Sequence, residues 1–189
     1  MWWFYTVILG MSFGQILGEL AQTVREWSRD RARRPFLPAV LWQVFLLVLV
    51  VEVWLAVTYY RTTLVQISVL ELLAFLAVPG GILVMSFLLP AAQPGQQSDD
   101  ETPAAAFDRM RPVFFGVLIG IVAINLAHEL LISQQGLDAD LVFQIVIAAG
   151  GVVGLLLHKP AADVALAVAM IAILGVYIGS QYSTVLVEG

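Results

Sequence analysis

Residues 41–51 read Leu-Trp-Gln-Val-Phe-Leu-Leu-Val-Leu-Val-Val, with a single polar side chain in the run. Stretches of this kind recur at 2–24, 38–60, 64–90, 110–134, 140–158 and 162–183. At about 1.5 Å of rise per residue, each is long enough to cross roughly 30 Å of hydrocarbon as a helix. A spanning β-barrel needs short segments that alternate lipid-facing and lumen-facing residues, and these runs do not alternate. Helices satisfy every backbone group within their own segment, so they are the remaining way to cross lipid. The pattern predicts an all-α, polytopic transmembrane helix bundle of six spans, one transmembrane domain over residues 1–189.

Composition agrees with that class. The chain is 60% hydrophobic and 12% charged, with a mean hydropathy of +0.91, outside the mix of a soluble globular domain. The net charge of −5 describes neither face, because the charges crowd into two loops. No nucleic-acid partner is expected. Cysteine is absent, which excludes disulfides, thiol catalysis and Cys-based zinc sites. The start, Met-Trp-Trp-Phe-Tyr, lacks the basic region of a signal peptide and reads as a retained first span.

Orientation follows from the basic residues. Arg25, Arg29, Arg31, Arg33 and Arg34 hold five of the nine positive charges. Arg109 and Arg111 fall in the next loop on the same side and Lys159 in the last, against Arg61 alone on the other side. Basic flanks stay cytoplasmic during insertion, so both termini are expected on the outer side. Trp2, Trp3, Tyr5, Tyr59, Tyr60 and Tyr182 then fall at the outer interface, and Trp27 and Trp42 near the inner one. The cytoplasmic segment 93–108, rich in Pro, Gly, Gln and acids, is expected to be a mobile loop. The basic run is also a candidate contact for anionic lipid.

Small residues mark helix contacts. Gly10, Gly14 and Gly18 repeat every four residues on one face of the first span, while Gln15, Glu19 and Gln22 take another, so that helix is expected to be central. Gly116 and Gly120 form a similar stripe in the fourth span. Packing within the bundle is the simpler reading of these stripes, and a partner protein or homo-oligomer the alternative. Pro79-Gly80-Gly81, mid-way along the third span, predicts a hinge: either a packing bend or a broken helix with free carbonyls.

Ionisable groups inside a span are costly and mark candidate sites. Counted from the span ends, Glu52, Glu71, Asn125, His128 and Glu129 lie within roughly 15 Å of the outer boundary and form a candidate proton or cation cluster. Its plain alternative is a structural network of neutral acids and amides. Gln15, Glu19, Gln22 and Gln43 form a sparser inner layer. The two histidines, His128 and His158, sit at opposite ends of their spans and cannot share a haem or a metal ion. His128-Glu129 does not begin a zinc-protease motif, since residue 132 is Ile, and no nucleophile-elbow or phosphate-loop sequence is present. No enzymatic activity, cofactor or metal is expected.

The turn Gly-Gln-Ile-Leu-Gly-Glu-Leu at 14–20, the pair Trp42-Gln43 with Trp54 beyond it, Leu89-Pro90, and Asp108-x-x-Arg111-Pro-x-Phe114-Phe115 occur together. In these motifs, over roughly residues 5–133, the chain resembles an uncharacterised family of bacterial polytopic integral membrane proteins of about six helices. The resemblance implies a helical membrane fold, multi-pass in the cell (inner) membrane, and implies no activity. Two functions fit the residues. One is a non-catalytic scaffold or accessory subunit that binds partner helices or lipid. The other is a small proton- or cation-translocating channel or transporter built on the outer Glu/His cluster.

Overall fold

In the computed structural model, residues 2–29, 35–60, 68–89, 102–129 and 139–182 are described. They form six helices: α1 (Trp2–Arg29), α2 (Leu37–Tyr60), α3 (Val69–Leu88), α4 (Pro103–His128), α5 (Ala139–Leu156) and α6 (Pro160–Gln181). All six are long and apolar enough to cross a membrane, and no strand occurs among the described residues. The protein is thus a multi-pass helical membrane protein.

The helix starts have local causes. Thr102 caps α4 by accepting from the Ala105 amide at 3.3 Å, and Pro103 occupies the first turn, where a missing N–H costs nothing. Ser68 and Glu71 cap α3 reciprocally: the Glu71 amide donates to Ser68 Oγ at 3.2 Å and the Ser68 amide to Glu71 Oε2 at 2.6 Å. Segment 93–108 is therefore not loop throughout. From Pro103 it is helix, because a cap, a proline and Ala104-Ala105-Ala106 outweigh its polar composition. Residues 93–101, Arg31, Arg33, Arg34 and Arg61, and the expected span ends at 64 and 134, lie outside the described residues.

Helix contacts run round a ring from α1 to α3, α4, α5, α6, α2 and back to α1, with α2 also touching α3. The inner place belongs to α2, 50% of whose span is buried against 22% for α1. The expectation of a central α1 is corrected on this point. Polar residues on two of its faces are a poor guide when only the face with Tyr5, Leu9, Ser12, Ile16 and Thr23 meets other helices. At the core Trp42 lies edge-on to Phe45, Phe114 and Phe115, with centroids 5.3, 5.7 and 4.9 Å apart. Trp42 is thus wholly buried, not at an interface, and Tyr5 and Tyr182 are buried as well.

Glycines permit the closest approaches, though not the glycines of the first and fourth spans. A Cβ added at Gly81 would meet Ile121 of α4 at 2.3 Å, one at Gly150 would meet Met170 of α6 at 2.4 Å, and one at Gly154 would meet the Phe115 ring at 2.3 Å. At Gly10, Gly14, Gly18, Gly116 and Gly120 a Cβ would meet nothing within 4 Å. Their expected packing role within the bundle is corrected: these stripes face outward. On α1 the glycine face lies roughly 170° from the buried face, at about 100° per residue. The helix α3 continues unbroken through buried Pro79 and half-buried Gly80 and Gly81, and Gly81 serves close packing against α4.

Candidate functional site

Two polar regions lie at opposite ends of the bundle. The end remote from the N-terminus is organised by Arg111, buried on the third turn of α4. Its Nη1 donates to Asp163 Oδ1 at 2.8 Å and to the Gly154 carbonyl at 2.9 Å. Nη2 donates to Asp163 Oδ2 at 2.6 Å and to Asp108 Oδ1 at 2.9 Å, and Nε donates to Asp108 Oδ1 at 3.1 Å. All five guanidinium donors are used, and the Phe107 ring lies 4.9 Å from the guanidinium carbon. One side chain ties α4, α5 and α6 together. In sequence Arg111 reads as an orientation charge, and Asp163 carries no mark of its own. The signal was there in two pieces, an Asp108-x-x-Arg111 spacing that pairs only on a helix and a lone acid just beyond Lys159-Pro160.

The inner layer expected from Gln15, Glu19, Gln22 and Gln43 does not assemble. Gln15 donates to Glu19 at 3.1 Å and Gln22 to Glu26 at 3.0 Å, both along α1 itself. Gln43 turns the other way and donates to the Leu89 carbonyl at 2.8 Å, joining α2 to the end of α3. A cleft of about 430 Å³ between the starts of α2, α4 and α6 has Thr102 as its only polar side chain, already spent on capping α4.

At the N-terminal end the expected cluster divides into three. Glu71 is committed to the α3 cap, with His128 within electrostatic reach. Glu129 accepts from Asn125 at 3.1 Å and from Gln144 of α5, which links α4 to α5. Glu52 stands apart from both groups, and its electrostatic neighbours are Tyr5 of α1, Asp140 of α5 and Tyr177 of α6. The idea that Glu52, Glu71 and His128 converge is corrected: helical phase turns Glu52 toward α5 and α6, while the cap holds Glu71 at the edge of α3.

The Glu52 surroundings are well defined. Tyr177 donates a short hydrogen bond to Asp140 Oδ1 and stacks on Phe143 at 3.9 Å, nearly parallel at 6°. Tyr5 packs on Phe75 of α3 with centroids 4.6 Å apart. Glu52 itself is 9% exposed, and no hydrogen bond or ion pair joins its carboxyl to any described residue. Among the described residues no three metal-ligating side chains gather at a point. Tyr5 and Tyr177 were read as boundary rings or passed over, because nothing local marks a tyrosine as facing a carboxyl two helices away.

Among the described residues, these features define a helical membrane bundle with a buried ionic centre at Arg111 and a buried acid, Glu52, without a hydrogen-bond partner. No protein-family model, curated protein or solved structure matches the chain.

Proposed function

We propose that this protein is a non-catalytic scaffold or accessory subunit of the cell (inner) membrane that binds a partner helix along α1. The observation that carries the reading is the open face of Gly10, Gly14 and Gly18, pointing away from the rest of the bundle with nothing within 4 Å of an added Cβ. In lipid, helices associate through close backbone approach and interhelical hydrogen bonds, since tails offer no hydrophobic driving force. The same helix carries Gln15, Glu19 and Gln22 on another face, roughly 110° round from the glycines at about 100° per residue, and amide and acid groups are costly against hydrocarbon. A second helix seated on the glycines would bring polar groups within their reach.

Orientation belongs to this proposal: termini outside, and Arg25 and Arg29 at the cytoplasmic end of α1, where anionic headgroups would meet them. With no native cysteine, Cys at Gln181 is expected to react with an impermeant reagent in intact cells and Cys at His158 to be protected. The reverse pattern inverts the topology.

The docking reading is tested with Gly14→Leu. Because the site is open, the variant should fold and melt like the parent, yet lose association measured by energy transfer between labelled copies in liposomes, or by co-purification with a partner. Unchanged association in both measurements rejects α1 as the docking helix. Translocation ranks second, because the buried faces between the two polar ends carry Leu46, Leu49, Val50, Val53, Leu118, Ile121 and Val122 and give a proton no polar path. Flux through proteoliposomes under an imposed potential, abolished by Glu52→Gln, would reverse that ranking.

A further inference from the structure

We propose that Glu52, buried on α2 with no hydrogen-bond or ion-pair partner among the described residues, is a proton-binding site. The proposal is independent of partner docking at α1. A carboxylate removed from water needs a counter-ion or several donors. The residues around Glu52 supply neither: Asp140 is itself an acid, and its Tyr177 donor is already spent on it. Among the described residues, Arg111 is bound at the opposite end, and Arg25 and Arg29 lie near the far end of α1.

The wholly occluded side-chain atoms without partners are Trp42 Nε1, Gln43 Oε1 and Gln144 Oε1 among the described residues, and the Glu52 oxygens are not among them. Glu52 has no hydrogen-bond partner among the described residues, and it is not wholly occluded. Four helices present groups to it. The helix α1 brings Tyr5, α5 brings Asp140, and α6 brings Tyr177 with Tyr182 behind it. From α3 the nearest contribution is Phe75 against Tyr5, with Glu71 a turn further out and held by its cap. The charge of Asp140 disfavours a second negative charge at Glu52. A packing device at this position would be better served by an amide or hydroxyl, which carries no ionisable proton.

The test is infrared spectroscopy of the full chain in lipid nanodiscs across a pH titration in light and heavy water. The expected result is a carboxylic-acid C=O band that shifts in heavy water, disappears as pH rises, is lost in Glu52→Gln and persists in Glu71→Gln. Asp140→Asn should displace the titration midpoint while leaving the band. Should Glu52→Gln fail to fold, Glu52→Asp must move the band's frequency. Absence of a titrating band in the parent protein, or a band indifferent to Glu52 substitution, overturns the proposal. So does a band abolished by sodium at fixed pH, which would assign the site to a metal cation.

Discussion

The two ends of the bundle bury charge under opposite conditions. At one, Arg111 places all five donors on Asp163, Asp108 and the Gly154 carbonyl. At the other, Glu52 has no hydrogen-bond partner among the described residues. Both groups are removed from their surroundings to a similar degree, 3% and 9% exposed, so burial alone does not separate them. What separates them is compensation. A buried charge with matched partners is a joint between helices, whereas a buried acid without them is a group whose state can change.

The largest effect is expected where compensation is complete. Asp163→Ala leaves a guanidinium buried with only half-exposed Asp108 against it, and should cost about 3–5 kcal/mol in detergent unfolding experiments. Replacing both partners, Arg111→Met with Asp163→Leu, should recover most of that loss, because the penalty comes from the stranded charge and not from the missing bond. A double variant as unstable as the single one would show that the joint itself holds the fold.

Next in size is Gly154→Ala, which strikes the same end through packing. The new methyl would meet the Phe115 ring, itself enclosed by Trp42 and Phe114, so the expected loss is about 1–3 kcal/mol. Gly150→Ala should cost less, since its obstacle is the flexible Met170 side chain. Thermal unfolding of the two variants side by side checks the order.

This asymmetry explains what was legible in the sequence. Six spans were readable from runs such as residues 41–51, and the starts of α2, α5 and α6 fell within two residues of expectation, because length and hydropathy are local properties. The intramembrane acid Glu52 was readable for the same reason. The Arg111–Asp163 joint was not, since hydropathy treats a basic residue near a span end as an orientation charge, and its partner is 52 residues away. Nor does a four-residue glycine repeat say which way its face points. Gly10, Gly14 and Gly18 and the contact glycine Gly154 look alike in sequence, and only the ring order of the helices turns one set out and the other in.

A smaller effect belongs to the α3 cap at the N-terminal end. Ser68→Ala removes one half of the reciprocal pair with Glu71 and should cost about 1 kcal/mol. Unlike a change at Glu52, it should leave the infrared acid band in place, which separates the edge of this end from its interior.

The smallest expected effect tests the comparison most directly, because the same chemical change is made at both ends. Asp163→Asn and Glu52→Gln each replace a buried acid by its near-isosteric amide. At Asp163 the change removes the negative charge facing Arg111 and turns an acceptor into a donor that points at a guanidinium, so a loss of about 3 kcal/mol is expected. At Glu52 the proposed neutral acid has no hydrogen-bond partner among the described residues to lose, so the amide should change stability by less than about 1 kcal/mol. The sign there depends on whether the added N–H finds the Tyr5 or Asp140 oxygen. Unfolding in detergent at one pH compares the pair. Equal losses at the two ends would mean that Glu52 is an ionised partner like Asp163, and the distinction between a fixed joint and a changeable acid would fail.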